Sequence, residues 1–264
     1  MKSVVMTSFD ENYYPYAHVT VRSFSDNYFG NKKQDFICLV PEYLLHLEEE
    51  FTNNVGNVSN LNIKFACAPD YTQFIKDSDQ ITVEGEGSFW WTRHALHRIF
   101  MIQVLDGYDK AIYLDPDTLV VRDIKPLIEY PMYNKFLACV EVHDEINHLT
   151  NSKDDIYFAD GVFVADLNFW RESGMHEKMK EFVYNNTIPT FLDQDVFNIF
   201  FMPYLQPLPL RFNTYPLYSE DKFLAAHTKD PLIMHYAAWN KPWKDIPGNE
   251  HIDLWRDAYN RLKA

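Results

Sequence analysis

The chain has 264 residues, a formal net charge of −14 and three cysteines. That length allows one large α/β domain or two small ones, and an acidic balance without a basic block disfavours nucleic acid as a partner. No apolar run reaches the length of a membrane span. The cysteines stand apart in apolar surroundings and the first residues lack the apolar region of a signal peptide, which predicts reduced thiols and a cytoplasmic protein.

The first part of the chain alternates predicted strands with predicted helices. Apolar runs bounded by turn residues predict strands, and segments with one apolar helical face predict helices. In chain order these are a strand at 3–8, a helix at 17–28, a strand at 35–40, a helix at 43–51, a strand at 61–67 and a helix at 90–105. Such alternation is typical of a Rossmann-like unit with a mainly parallel sheet.

A short apolar run at 111–114 is followed by Asp115 and Asp117, with Pro116 between them. The run predicts a strand buried on both faces, and α/β sheets bind ligands at the carboxyl ends of their strands. Residues i and i+2 of an extended segment point to the same side, so the two carboxylates converge. This pattern suits a divalent cation that holds a diphosphate, and the alternative is a solvated turn after a strand.

The second half of the chain continues the alternation. Strands are predicted at 135–142, 157–167 and 232–236, helices at 177–184, from 190 onward and at 252–262, and at most an edge strand at 205–211. Gly161 lies inside a predicted strand, where a glycine often marks the close approach of a ligand. Thr190 or Asp193 could be a helix N-cap. In the helix at 90–105, Arg93 and Arg98 each suit either a solvated face or a contact with a diphosphate.

Three motifs, which follow one another along the chain in the order that the family has, resemble the glycogenin-like, retaining glycosyltransferases of family 8. Residues 113–120, YLDPDTLV, resemble the YLDxDTLV signature of that family. His235 followed by KPW at 241–243 resembles its HxxGxxKPW signature. Asp193 and Gln194 match its DQ motif at the reacting sugar. The resemblance covers nearly the whole chain.

The resemblance implies a GT-A fold in one domain, with a mainly parallel mixed sheet. The nucleotide-binding half would be 1–121, the acceptor and sugar half 122–245, and the C-terminal helix 246–264. The implied activity is a retaining transfer of a hexose, glucose or galactose, from a UDP-sugar to a hydroxyl acceptor with Mn²⁺, and Mg²⁺ is the alternative ion. The acceptor would be a sugar, a glycan or a protein, and a homodimer is left open.

The resemblance also implies the site residues. The metal ligands would be Asp115, Asp117 and His235. The catalytic groups would be Asp193, Gln194 and Lys241, the lysine holding the diphosphate. The donor would be bound by Thr7, Ser8 and Tyr13 at the uracil and ribose, and elsewhere by Arg93, Arg98, Asp115, Pro116, Asp160, Gly161, Ala238, Lys241 and Trp243.

Two positions depart from the family pattern. Ala159 stands where the family has the asparagine of FN(A/S)GV, and Ala238 where it has the glycine of HxxGxxKPW. In a regular strand Asp160 would point away from the face of Ala159 and could not replace the asparagine. The pocket would then accept UDP-glucose and UDP-galactose within about tenfold in kcat/KM. The alternative is that Asp193, or Asp160 on a bulged strand, already reads the hydroxyl group.

Two other functions compete with the transferase. The departures motivate a catalytically silent protein of the same fold that binds nucleotide sugars or glycans. Paired aspartates also suit a metal-dependent phosphohydrolase.

Overall fold

The computed structural model describes residues 1–77, 82, 93–142, 149–150, 155–216, 230–237, 241–248 and 250–263. The strands are β1 (Ser3–Ser8), β2 (Gln34–Leu39), β3 (Leu61–Ala66), β4 (Lys110–Leu114), β5 (Thr118–Val120), β6 (Leu137–Val142), β7 (Tyr157–Asp166), β8 (Leu205–Leu208) and β9 (Ile233–His235). The α-helices are α1 (Tyr14–Asp26), α2 (Glu48–Val55), α3 (Pro69–Lys76), α4 (Lys125–Ile128), α5 (Leu167–Glu172), α6 (Met175–Asn185), α7 (Leu192–Phe201) and α8 (Glu250–Lys263). The described residues also include four 3-10 helices, which are Glu42–Leu47, Arg93–Val104, Met202–Tyr204 and Leu210–Phe212.

Seven strands form one sheet in the order β3-β2-β1-β4-β7-β6-β8. The pairs β2–β3, β1–β2, β1–β4 and β6–β8 are parallel, and only β7 runs antiparallel to its two neighbours, β4 and β6. The predicted mainly parallel mixed sheet is therefore confirmed. Because β1 and β4 are parallel neighbours, their carboxyl ends meet at the same edge of the sheet, and polar residues follow both.

The core lies on both faces of the sheet. Along β1, Val4 and Met6 belong to one hydrophobic cluster and Val5 to the other, and β4 alternates in the same way. Burial on two faces explains why these strands are continuous apolar runs in the sequence. In the described part of the chain no helix combines the length and apolarity that a membrane crossing requires.

Strand β7 is not regular, which corrects the expectation for Asp160. The pairing with β6 moves from Cys139 opposite Phe163 directly to Val140 opposite Ala159, so three residues of β7 bulge away from β6. Phe158 and Phe163 consequently pack into the same cluster although they are an odd number of residues apart. The regular strand on which Asp160 was expected to point away from the face of Ala159 is therefore interrupted directly after Ala159.

Strand β9 lies outside the large sheet and pairs antiparallel with β5, so that Thr118 is opposite His235. Strand β5, and the helices α3, α4 and α5, are absent from the predicted elements. The helix predicted at 90–105 is a 3-10 helix, Arg93–Val104, in which seven consecutive residues are buried. Burial on all sides removes the amphipathic period from which its type could have been judged.

Candidate active site

Asp115, Asp117 and His235 converge where β4 ends and β5 pairs with β9. The His235 Nε2 atom lies 3.4 Å from Asp115 Oδ2 and 3.2 Å from Asp117 Oδ1. One ligand atom from each residue falls within 4.8 Å of the other two. The three positions that the sequence proposed as metal ligands are therefore brought together by the fold.

Asn213 orients the imidazole of His235. The Nδ1 atom lies 2.9 Å from Asn213 Oδ1, and the amide nitrogen of Asn213 donates to the Tyr215 hydroxyl. With Nδ1–H donating to Asn213, loss of the Nε2 proton would leave a lone pair that faces the two aspartates, which is the form that would ligate a metal. Sequence analysis missed Asn213, because it lies in an irregular segment outside every motif.

Gly161 leaves the space in which these side chains meet. A Cβ atom at Gly161 would lie 2.8 Å from Asp115 Oδ2 and 2.7 Å from His235 Nδ1, closer than real Cβ atoms approach such neighbours. The Gly161 carbonyl also accepts a hydrogen bond of 2.8 Å from the Asp115 backbone N–H. A glycine is needed here because the strand backbone passes directly beside the converging side chains.

Lys241 supplies a buried cation to this group. Its ammonium pairs with the Asp117 carboxylate and donates to the Tyr236 carbonyl at 2.9 Å. Burial disfavours the ammonium, but the Asp117 carboxylate outweighs it and raises the pKa of Lys241. Burial likewise opposes ionisation of Asp117, yet Lys241 and His235 hold its pKa below the ordinary value. We call Asp115, Asp117, His235 and Lys241 the lysine corner.

Arg98 is the second buried cation. Its guanidinium lies 2.7 Å from Asp115 Oδ1, 2.7 Å from Asp193 Oδ2 and 3.5 Å from Asp160 Oδ2, and its central carbon is 4.5 Å from the centre of the Tyr113 ring. We call Arg98, Asp160, Asp193 and Gln194 the arginine corner. Because Asp115 contacts both Arg98 and His235, the two corners form one continuous site.

Of the two candidate arginines, the structure brings Arg98 to the aspartates. Arg93 lies half-buried at the start of the same 3-10 helix, and its contact with a donor stays a prediction. The N-cap alternative for Asp193 is wrong, because Phe191 occupies the N-cap of α7 and no side chain caps it. The Asp193 carboxylate faces Arg98 instead.

The carboxyls near Arg98 differ from Asp117 in their ionisation. Burial raises the pKa of Asp193 well above its ordinary value, and Arg98 offsets only part of that effect. Burial also raises the pKa of Asp115, against the attraction of Arg98 and His235. Because they share one guanidinium, the carboxylate forms of Asp115 and Asp193 are less stabilised than that of Asp117.

A polar seam fixes α7 against β7. Gln194 Oε1 accepts from the Asp160 N–H at 3.3 Å and its amide donates to the Tyr157 hydroxyl at 3.1 Å, while Tyr157 donates to Asp195 at 2.6 Å. Asn198 donates to and accepts from the backbone of β7. Sequence analysis missed Asp195 and Asn198, although Asn198 follows Gln194 by four residues and Asp195 by three, a spacing that places these polar groups on one face of the helix.

Leu192, the first residue of α7, has a φ of +48°. Such a conformation is rare for a side chain other than glycine or asparagine and is found where surrounding contacts enforce it. The polar seam supplies those contacts directly after it. The strain therefore sits next to Asp193.

The turn after β1 presents Tyr13. The Asp10 carboxylate accepts from the backbone N–H groups of Asn12 and Tyr13 at 3.0 and 3.3 Å. Burial raises the pKa of Tyr13 to about 12, and the Lys241 ammonium lies 5.5 Å from its ring centre. Thr7 and Ser8 are buried at the end of β1. Sequence analysis missed the role of Asp10, although a carboxylate two residues before Asn12 is a pattern from which its bond to the turn backbone could have been predicted.

Trp243 packs mainly against its own protein. Its ring stacks on Tyr16 at 4.0 Å with an interplanar angle of 9° and meets the edge of Tyr13 at 5.7 Å. Pro116 is buried between the two aspartates. The donor contacts expected of Trp243, Pro116, Thr7 and Ser8 stay predictions, and Ala238 lies outside the described residues.

A second convergence of possible ligands involves Asp10, Glu11 and His94. Its members already have hydrogen-bond partners, since the Tyr43 hydroxyl donates to Glu11 and the Tyr71 hydroxyl pairs with His94 Nδ1. Tyrosine partners already occupy the Glu11 and His94 atoms. The lysine corner is therefore the better metal candidate among the described residues.

Solved structures of similar shape define the fold. The galactosyltransferase LgtC, solved in complex with donor and acceptor sugar analogs, superposes with a TM-score of 0.74 at 17% identity, over 98% of this chain and 96% of that one. The bifunctional WbbM in its apo form gives 0.72 at 22% identity over the full chain, which spans half of the WbbM chain. The fold is a GT-A fold, as the resemblance implied.

Sequence relatives define the family. The sequence pattern of glycosyl transferase family 8 matches residues 4–247. Lipopolysaccharide 1,2-glucosyltransferase of Escherichia coli is 24% identical, over 95% of this chain and 76% of the relative. General stress protein A of Bacillus subtilis is 26% identical, over 76% of each chain. The chain belongs to glycosyltransferase family 8, and it is thus a transferase that uses a sugar donor and an acceptor.

Proposed function

We propose that the chain is a retaining hexosyltransferase that moves glucose or galactose from a UDP-sugar to a hydroxyl acceptor with Mn²⁺, or else Mg²⁺. The observation that carries the proposal is the convergence of Asp115, Asp117 and His235 beside the buried Lys241. The hexose is supported by the names of relatives, a glucosyltransferase and a galactosyltransferase. Retention of configuration comes from the resemblance to the family.

The lysine corner fits a divalent cation in its chemistry and in its charge. Two carboxylates with one imidazole suit Mn²⁺ at least as well as Mg²⁺. Across both corners, four aspartates face the two cations Arg98 and Lys241, which leaves two negative charges when all four are ionised. A divalent cation would balance them and would favour the ionised form of Asp115, whose pKa is raised in its absence.

Transfer from a nucleotide sugar requires C1 to lose a diphosphate through a state with positive charge on the sugar. A cation bound at the lysine corner supplies Lewis-acid stabilisation of the leaving group. Lys241 adds a fixed positive charge, and the Asp117 carboxylate keeps it protonated. Asn213 and Gly161 hold the ligands in place and leave them room.

The arginine corner would face the sugar. Asp193 and the Gln194 amide provide acceptors and a donor for sugar hydroxyls, and a carboxylate also stabilises positive charge that develops at C1. Arg98 fixes Asp193 relative to Asp115, and with it the distance between the metal ligands and the sugar face. A misplacement of about 1 Å at such a site lowers rates by about a hundredfold, so this link is part of the catalytic geometry.

The test is a thermal-shift panel of UDP-glucose, UDP-galactose and GDP-mannose with Mn²⁺ or with EDTA, run beside an assay of UDP release. A ligand that binds the native state raises the melting temperature. We expect a rise with the UDP-sugars and Mn²⁺, none with EDTA, and slow release of UDP without acceptor. Binding without release of UDP would favour the silent binding protein, and release of inorganic phosphate would favour the phosphohydrolase.

A further inference from the structure

The bulge in β7 turns Asp160 into the site and fixes it there. The Asp160 N–H donates to Gln194 Oε1 at 3.3 Å, and its carbonyl accepts from Arg98 Nη1 at 3.2 Å. Both backbone groups of this one residue are thus held by members of the arginine corner. A bulge next to an active site commonly re-aims a side chain, and here the re-aimed side chain is a carboxylate.

The Asp160 carboxylate lacks a full complement of donors. Asp160 is 6% exposed, and its Oδ2 atom has no donor of good geometry within the described residues, while its side chain hydrogen-bonds the neighbouring Asp193 carboxyl. The nearest cation atom, Arg98 Nη1, is 3.5 Å away, whereas Asp115 and Asp193 each hold Arg98 at 2.7 Å. A buried carboxylate oxygen without a donor is unfavourable, and a hydroxyl group placed against it removes the penalty.

The positive charge of Arg98 is already balanced by neighbouring carboxylates. Asp115, Asp160 and Asp193 surround the one guanidinium, so it offers no unbalanced positive charge to an anionic ligand. Gln194 is neutral and also turns its oxygen to the Asp160 backbone. The wall is rich in acceptors: it suits the hydroxyl groups of a neutral sugar and repels a further carboxylate.

We propose that Asp160 accepts a hydrogen bond from a hydroxyl group of the transferred sugar and restricts the donor to neutral hexoses, so that hexuronates are excluded. This inference rests on the proposed function. The expectation that UDP-glucose and UDP-galactose are used within about tenfold of each other stays a prediction beside it.

The test compares kcat/KM for UDP release, with Mn²⁺, from UDP-glucose, UDP-galactose, UDP-glucuronate and UDP-galacturonate. We expect the wild-type protein to prefer the better neutral hexose over either uronate by at least about a hundredfold, since like charges juxtaposed at a site are strongly disfavoured. Asp160→Asn keeps an acceptor oxygen and removes the charge. In this variant the ratio of kcat/KM for the neutral hexose to kcat/KM for the uronate should fall by about tenfold or more, mainly because the uronate is turned over faster.

Two further variants separate charge from structure. Asp160→Ala removes the acceptor as well, so it should slow the neutral hexose more than Asp160→Asn does. Asp106→Asn is the matched control, because Asp106 is exposed in the turn before β4, at the amino end of that strand. This control should leave the kcat/KM ratios between neutral hexoses and uronates unchanged. If a variant at position 160 does not fold, the ratio of neutral-hexose to uronate kcat/KM in the wild-type protein tests the inference.

Wild-type turnover of a uronate within about tenfold of the neutral hexose would overturn the inference alone. So would a folded Asp160→Asn protein with an unchanged ratio. A wild-type protein that releases UDP from no donor and binds none would overturn the proposed function and this inference with it.

Discussion

The lysine corner and the arginine corner are each built around one buried cation, but the two cations are used differently. Lys241 is a point charge committed to a single carboxylate, and the pKa of Asp117 is lowered as a result. The fork of Arg98 is divided among three carboxylates, and burial then raises the pKa of Asp193. The number of carboxylates per cation decides which aspartate is firmly ionised and ready to bind a metal.

The largest expected effect follows from the loss of that firmly ionised ligand. Asp117→Asn removes a proposed metal ligand and the partner of Lys241, and we expect transfer and UDP release with Mn²⁺ to fall by about a thousandfold or more, about 4 kcal/mol. The measurement is kcat/KM for UDP release, with Asp106→Asn as the exposed control. Turnover at the wild-type rate in Asp117→Asn would remove the basis for the metal site.

The next effect concerns the shared cation. Arg98→Met leaves three buried carboxylates without their common partner, and we expect the free energy of unfolding to fall by about 3–5 kcal/mol in urea titrations. The control is Arg122→Met, whose ion pair with Asp230 is more than half exposed and should be worth less than about 1 kcal/mol. Equal losses in the two variants would show that Arg98 does not hold the site together.

Lys241→Ala should affect binding and chemistry together. In the proposed function its charge would meet the diphosphate in both the ground state and the transition state, so we expect weaker UDP binding and a lower kcat, with kcat/KM reduced by about a hundredfold. Calorimetry with UDP and steady-state kinetics measure the two parts. Lys125→Ala, on an exposed helix face, serves as the control, and UDP affinity unchanged by Lys241→Ala would contradict the role.

Gly161→Ala sharpens the comparison, because it crowds the lysine corner without removing a ligand. The added methyl would meet Asp115 and His235, and we expect Mn²⁺ affinity in the presence of UDP to fall by about 10- to 100-fold. The melting temperature without metal is the control for folding. A Gly161→Ala protein that binds Mn²⁺ as tightly as wild type would show that Asp115 and His235 can accommodate the added methyl group.

His97, next to Arg98 in the chain, should give the smallest effect. Burial lowers the pKa of His97 to about 3, with a small contribution from His94, and its ring stacks on Tyr71. Because the unfolded pKa is about 6.5, the neutral form stabilises the fold fully above that pH, and this stability is lost as pH falls toward 3. At pH 5 the loss is about 2 kcal/mol.

His97→Phe should therefore flatten the dependence of unfolding free energy on pH between 6.5 and 4. His46→Gln, at an exposed imidazole, is the control and should leave the slope as in wild type. A slope in His97→Phe equal to that of wild type would show that His97 does not carry it.

Sequence reasoning named the residues of both corners, but the pattern of the chain supports those of the lysine corner better than it supports the position of Asp160. The apolar run before Asp115 and Asp117 predicts a strand end by pattern alone, and the resemblance adds His235 and Lys241 across the chain. Asp160 could not be placed in the same way, because period-two alternation assumes the regular strand that the bulge interrupts.

The same limit explains what was missed in the fold. The central parallel strands are continuous apolar runs and were found nearly to the residue, whereas the three-residue strand β5 is too short to show a period. Asn213, Asp195 and Asn198 act through contacts with residues distant in the chain. Their roles depend on tertiary packing, which a single sequence does not display.

The most direct test of the central claim is calorimetric titration of UDP with Mn²⁺ into the wild-type protein, into the same protein in EDTA, and into Asp117→Asn. We predict saturable binding that EDTA abolishes and that Asp117→Asn weakens by at least about a hundredfold, because in the proposed function a cation at the lysine corner would hold the diphosphate. Equal affinity for UDP under all three conditions would contradict a metal site at Asp115, Asp117 and His235.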